Sequence, residues 1–343
     1  MSKDKPLLNP IWQARLNRFK QNRLGVIALI LFCLISLICL GANFVANDKP
    51  LVVKYEDTLY FPVVKAYPET TFGGVFETEA DYKDPAVKEL IEQKGFMIMP
   101  LIEFADQTAS VELEQPYPAP PNASNWLGTD DTGRDVLARI LYGMRVSLIF
   151  GLALTLAGSL IGIIVGAVQG YYGGWPDLIG QRFMEVWAGL PQLFMIIILV
   201  SLFNPSVWVL FALMLLFGWM SLVGLVRAEF LRARNFDYVR AARNLGVSDT
   251  KIMLRHILPN ALASSLSQLP FILTANIVAL TSLDFLGYGL PPGSPSLGEL
   301  MNQGKDNLDA PWLALSAFFS LTLVLSLLIF VGEALRDAFD PRR

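Results

Sequence analysis

The chain has 343 residues, 53% of them apolar, and a mean hydropathy of +0.46, which excludes an ordinary soluble domain. Its 27 Lys+Arg and 30 Asp+Glu leave a net charge of −3, and the single His256 excludes most histidine-based metal or catalytic sites. Cys33 and Cys39 both fall in the first apolar run, so they read as small packing residues and not as a disulfide framework.

Five charge-free runs, 24–47, 146–169, 186–226, 260–283 and 310–332, are each long enough to cross a hydrocarbon core of about 30 Å. The third has 41 residues and is interrupted at Asn204-Pro205-Ser206, so it reads as a hairpin of two spans. The expected fold is therefore all-α and polytopic, with six transmembrane helices and both ends on one side. Basic residues before the first span (Lys3, Lys5, Arg15, Arg18, Lys20, Arg23) put that side inside. Internal segments then hold 17 Lys+Arg against 9 Asp+Glu, and external ones 10 against 21.

In chain order, 1–23 is a basic segment whose Trp12, Leu16 and Phe19 share one helical face, a pattern suited to the inner membrane surface. A plain topogenic charge cluster is the alternative. A cleaved signal over 1–46 is disfavoured by the long charged region and by Phe44-Val45-Ala46 as a cleavage site. After the first helix, 24–46, the external segment 47–145 is acidic and rich in Pro. LVVKYEDTLYFPVV and GFMIMPLIEF read as strands and DPAVKELIEQKG as one capped helix, which makes a small, loop-rich insertion. Its acidic surface suits either solvated loops or contact with a delivery protein.

The insertion ends in WLGTDDTGRDVLARILYGMRVSL. Residues 128–133 look superficially like a phosphate loop, but Arg134-Asp135 replace the needed Lys-Ser/Thr and two Asp stand where amides would cradle an anion. Thr129, Asp130 or Asp131 is placed to cap the helix that carries Val136, Ile140 and Leu141. From there 146–333 forms the core. Gly158, Gly162, Gly166 and Gly170 recur every four residues, a smooth strip for close approach of a neighbouring helix in this chain or another. YYGGWPD at 171–177 reads as a tight internal turn, and Arg182 with Glu185 as a local ion pair. Pro191 and Pro270 should kink their helices. Gln268, Thr274, Asn276, Thr281 and Ser282 give the fifth span more polar groups than its neighbours, as an aqueous path requires, though Ser and Thr also bond their own backbone. Asp284 could meet a cationic group on cargo or be hydrated at the interface.

The loop 227–259 is longer and more basic than a connection between spans requires. Within it, NFDYVRAARNLGVSDTKIMLRHILP reads as two short helices, the first closed by Gly246, the second capped by Ser248 or Asp249, with Pro259 opening a further helix. Ala241 and Ala242 offer a flat, small-residue face for another protein. The Ala-Ala, Gly and Ile257-Leu258-Pro259 spacing resembles the cytoplasmic coupling loop of ABC-importer permeases, with Arg240 in place of that pattern's Glu. GTDDTGRD at 128–135, the external turn LTSLDFLGYGLPPGSPSLGEL and the closing LRDAFDPR resemble the dipeptide, oligopeptide and nickel branch of the same family; Asp284 and Leu297 depart from its pattern.

The resemblance implies a type I importer permease (MetI-like) core in a bacterial inner membrane, with 47–145 periplasmic and the tail 334–343 cytoplasmic. It implies a second permease subunit, an ABC ATPase with two nucleotide-binding domains, and a periplasmic peptide-binding protein. Phe236, Asp237, Tyr238, Arg240, Ala241, Ala242, Gly246, Ile257 and Pro259 would then meet the ATPase. ATP and Mg would sit on that partner, with no cofactor or metal on this chain and no catalytic residue in it. Oligopeptides, peptide conjugates such as microcin C included, are the expected cargo. A nickel or other small-solute permease differs only in cargo, and a secondary transporter would need ionisable residues inside the spans.

Overall fold

The computed structural model of the chain describes residues 10–109 and 116–339. Helices dominate. The first, α1 (Pro10–Gln21), leads into α2 (Arg23–Leu40), whose cap Asn22 accepts a hydrogen bond from Gly25 N at 3.0 Å, and then into the single turn α3 (Ala42–Val45). Phe19 of α1 is buried whereas Leu16 is exposed, so these two residues do not share a buried face. The side chain of Trp12 lies outside the described residues, as does 340–343, which holds the end of the closing motif.

The segment after α3 forms β1 (Val52–Tyr55), β2 (Thr58–Tyr60), α4 (Pro85–Lys94) and β3 (Gly95–Ile98). The strands pair antiparallel in the order β2-β1-β3, with Val53 opposite both Tyr60 and Met97. Asp84 caps α4 through Ala86 N at 2.8 Å, and Pro85 follows at the first helical position. Phe72 is the centre of a small core, with Tyr55 edge-on at 5.7 Å and Val53, Tyr82 and Ile91 around it. Both expected strand regions and the expected helix are present, although the second strand stops at Ile98, ahead of Pro100.

The long helix α5 (Val136–Tyr172) has 37 residues, about 55 Å at 1.5 Å per residue, so it exceeds a hydrocarbon core. It begins ten residues before the apolar run because Asp135, not Thr129, Asp130 or Asp131, is its cap, accepting from Ala138 N at 2.7 Å. The reversal at Gly173 and Gly174 (φ +64° and +55°) leads directly into α6 (Gly174–Ala188). The stretch between the apolar runs 146–169 and 186–226 is thus almost wholly helical. A break at Gly189-Leu190-Pro191 separates α6 from α7 (Gln192–Val200) by 73°. The turn 201–206, containing the expected Asn204-Pro205-Ser206 interruption, precedes α8 (Val207–Gly218) and, after a tight turn at 219–222, α9 (Val223–Ala233).

Next come α10 (Asp237–Asn244), α11 (Asp249–Lys251), a π-helical turn (Ile252–Ile257), α12 (Leu258–Leu266) and α13 (Leu269–Phe285). The run through α12 meets α13 at 55°, where Pro270 supplies no N–H. Last are α14 (Leu297–Asp306) and α15 (Pro311–Phe339). Among the described residues, four helical stretches are long and apolar enough to cross a membrane, or up to six if each bent pair crosses once.

One core joins α5, α13, α14 and α15 through Val136, Met144, Ile277, Leu297, Leu313, Ala317 and Val324. The glycine strip of α5 packs against α8–α9 of this same chain. A Cβ at Gly162, Gly166 or Gly170 would lie 2.6, 2.7 or 2.5 Å from the carbonyl oxygens of Trp219, Val223 and Arg227. Both series advance four residues at a time, so the two helices run parallel in close contact.

Candidate coupling site

The chain leaves α9 at Ala233 and enters α10 with Asp237 in its first turn, where the helix dipole favours a carboxylate. Closure follows the expected route. Gly246 adopts φ +77°, and Leu245 N, Gly246 N and Val247 N donate to the carbonyls of Ala241, Arg243 and Ala242 at 3.0 to 3.1 Å. Ser248 precedes α11 in extended conformation but makes no side-chain bond to it, so it marks the start without capping it. Pro259 sits in the first turn of α12 and cannot donate to the carbonyl of Arg255. The widened turn 252–257 immediately precedes it.

Segment 235–259 has two faces. Val239, Ala242, Ile252 and Ile257 are buried and pack with Tyr171, Val226 and Phe230. Each fully buried Val or Ile stabilises the attachment by about 1.5–3 kcal/mol, so the segment has a firm backing. Phe236, Tyr238, Arg240, Ala241, Leu245, Leu254 and Pro259 are exposed, with Leu245 at 83%. The flat face expected of Ala241 and Ala242 does not exist. Adjacent residues point about 100° apart on a helix with 3.6 residues per turn, and Ala242 points into this chain's own core. A cavity of about 150 Å³ opens between Phe236, Tyr238, Ile257 and Asn260.

Tyr171, at the end of α5, is where the segment meets the bundle. Its hydroxyl donates to Asp249 Oδ1, the Arg243 guanidinium lies 5.3 Å over its ring, and its carbonyl accepts from Arg234 Nη1 at 3.4 Å. Nearby, Arg227 of α9 binds Asp177 of α6 bidentately at 2.5 and 2.7 Å. Arg182 and Glu185 form the expected ion pair at 2.5 Å on an exposed face. The contacts among Tyr171, Arg243 and Asp249 escaped sequence reasoning because 78 residues separate the hydroxyl from its acceptor.

The proposed path residues scatter. Asn276 Nδ2 donates to Thr155 Oγ1 of α5 at 2.9 Å, a contact between helices. Thr274 bonds its own helix at Pro270 O at 2.9 Å, Thr281 is buried, and Gln268 is half-buried at the α12–α13 bend. Asp284 is only 8% exposed and has both oxygens engaged, by Leu290 N at 2.7 Å and Ser296 Oγ at 2.5 Å. It pins the turn 286–296, an internal role distinct from both readings the sequence leaves open, cargo contact and hydration at the interface.

The eight-residue word 128–135 builds a buried ionic cluster that sequence reasoning reduced to helix caps. Asp130 accepts from Arg134 Nε at 2.7 Å and lies 3.4 Å from Arg139 Nε; Arg139 Nη2 reaches Glu299 of α14 at 2.8 Å. A separate cavity of about 1110 Å³ lies where the 47–109 region meets α5, lined by Asp81, Lys83, Asp84 and Lys88 among others. It does not touch segment 235–259.

Comparison with known proteins agrees with this architecture. The family described as binding-protein-dependent transport system inner membrane component matches residues 158–343, and the N-terminal TM domain of oligopeptide transport permease C matches 11–61. The chain is 56% identical over 336 residues to the inner membrane ABC transporter permease protein YejE of Escherichia coli, covering 98% of each. It is 49% identical over 363 residues to the peptidoglycan transport system permease protein YejE of Agrobacterium fabrum, covering 99% of this chain and 95% of that one. Identity to the oligopeptide transport system permease protein OppC of Lactococcus lactis subsp. lactis is 36% over 239 residues, 68% of this chain and 81% of that relative.

Proposed function

This chain belongs to the binding-protein-dependent transport system inner membrane components, the permease subunits of ABC importers, and we propose that it carries peptides inward on energy supplied by a partner ATPase. Peptide cargo is supported by relatives named for oligopeptide, dipeptide and peptidoglycan transport. Peptide conjugates such as microcin C fall within that class. A periplasmic binding protein delivers cargo, and a second permease completes the pathway; many apolar side chains on α7 and α8, such as Phe194 and Trp208, face outward and suit lipid or that second subunit. ATP and Mg belong to the ATPase.

The observation that carries the proposal is the two-faced segment 235–259. Its inner face is fixed to α5, α9 and α12 by buried Val239, Ala242, Ile252 and Ile257, and its outer face offers Phe236, Tyr238, Leu245 and Leu254 among Arg240 and Arg255. Gly246 and Pro259 shape that outer face, while Asp237 opens α10. A surface of this kind lets ATP binding in the partner shift the population of inward- and outward-facing states, provided it binds the two ATPase states with different affinity. The basic bias of the same segments puts this face, both termini and the tail in the cytoplasm, with 47–145 in the periplasm.

Leu245→Asp tests the docking face, because the exposed side chain makes the change harmless to this chain's own core. Insertion should be unchanged while co-purification of the ATPase falls about tenfold or more, the loss typical of a hot-spot residue. Peptide uptake should fall with it. Undiminished ATPase binding and uptake would refute the assignment.

A further inference from the structure

Segment 235–259 packs its apolar residues with α5, α9 and α12, and Tyr171 of α5 also takes a cation–π contact from α10 and a hydrogen bond to α11. We propose that Tyr171 is the positioning residue through which this segment moves α5, the long helix that carries the glycine strip. The inference rests on the coupling function proposed above and adds to it the route by which motion enters the membrane.

Three contacts converge on Tyr171 from three consecutive pieces of chain. Arg234, just after α9, binds its carbonyl oxygen at 3.4 Å; Arg243 of α10 covers its ring at 5.3 Å; Asp249 of α11 accepts its hydroxyl. Arg243 also approaches Asp249, at 4.0 Å, so the two helices of the segment are held as one corner around the ring. Tyr171 is itself 3% exposed and packs with Val239, Ile252 and Phe230. Apolar packing permits sliding, whereas a hydrogen bond to a carboxylate fixes distance and direction and is stronger than one between neutral groups. A displacement of the α10–α11 corner is therefore handed to the last turn of α5. One residue earlier, at Gly170, the backbone lies against Arg227 of α9 with no side chain between. The same displacement reaches α9 through that contact, and α6 through the Arg227–Asp177 pair.

Tyr171→Phe separates this role from packing, because it keeps the ring under Arg243 and removes only the hydroxyl. The variant is assembled with the second permease, the ATPase and the binding protein in proteoliposomes, and a labelled oligopeptide that the wild-type complex imports is the probe. ATPase co-purification and basal hydrolysis should match wild type, while peptide imported per ATP falls about tenfold, within the range of coupling between sites. Asp249→Ala should reproduce the defect, and the two changes together should be no worse than either. Asp249→Asn, which keeps an acceptor for the hydroxyl, should restore most of the yield. Unchanged peptide per ATP in both Tyr171→Phe and Asp249→Ala would overturn the proposal, as would a loss of ATPase binding that accounts for the whole defect. Failure here with Leu245→Asp still releasing the ATPase would leave the docking face standing; retention of the ATPase by Leu245→Asp would remove the docking face itself.

Discussion

Asp284 shows how burial changes the meaning of a charged residue. In the sequence it is an acid near the outer end of an apolar span, where cargo contact is chemically reasonable. In the folded chain its two oxygens hold Leu290 N and Ser296 Oγ, and Ser296 in turn accepts from Gly298 N at 3.2 Å at the start of α14. Asp284→Asn replaces one acceptor by a donor, so the turn 286–296 should lose about 1–3 kcal/mol. Uptake of cationic and neutral peptides should then fall by the same factor; a selective loss for cationic peptides would restore the cargo role. Arg139 makes the same point through ion pairs. It is fully buried between Asp130 and Glu299, both of which Arg134 also contacts, at 2.7 and 3.6 Å, so Arg139→Met should destabilise the chain by roughly 1.5–3 kcal/mol, the range of hydrogen bonds to charged groups. Glu299→Gln, at a position whose side chain is 29% exposed, should cost less. Thermal unfolding in detergent would rank the two, and equal losses would argue against burial as the cause.

Among elements, the pairing of α5 with α9 sets the spacing of the core. Its glycines are not equivalent. A Cβ at Gly158 would lie 3.5 Å from Trp219 Cα, ordinary contact, whereas at Gly166 it would lie 2.7 Å from the Val223 carbonyl oxygen. Gly158→Ala should therefore be neutral or stabilising by up to about 1 kcal/mol, the helix preference for Ala over Gly. Gly166→Ala must push two backbones apart and should cost about 1–3 kcal/mol. Comparable melting temperatures for the two variants would contradict this packing. The four-residue period made the strip legible in the sequence, but its partner helix was not, because period alone cannot distinguish a neighbour in the same chain from one in another. Gly246, Pro259, the α4 helix and the turn at 204–206 are likewise readable, since each depends on local backbone chemistry. The start of α5 is not legible locally, because Asp130 and Asp131 offer the same capping groups as Asp135, and the ionic cluster that engages Asp130 is formed by distant residues. The burial of Ala242 is hidden for a related reason: a short helix with few apolar residues does not say which side will be covered. The Tyr171 contacts and the Arg139 cluster, which cross 78 and 160 residues, were invisible to any local pattern.

At the level of the whole molecule, a net charge of −3 conceals a strong asymmetry, with 17 Lys+Arg to 9 Asp+Glu in the segments proposed to be internal and 10 to 21 in the others. That asymmetry supports the proposed orientation, which decides whether segment 235–259 can meet an ATPase at all. The spans themselves are joined by tight packing, α2 to α15 at Gly25 and Ala334 and α13 to α15 at Phe271 and Gly332, which lets a displacement at one end be felt along the bundle. The most direct measurement is labelling of Leu245→Cys, in a chain with Cys33→Ser and Cys39→Ala, by a membrane-impermeant maleimide. The thiol should react in inside-out vesicles stripped of ATPase, be protected when purified ATPase is added back, and stay unlabelled in intact spheroplasts. Labelling from outside spheroplasts, or no protection by the ATPase, would contradict the account.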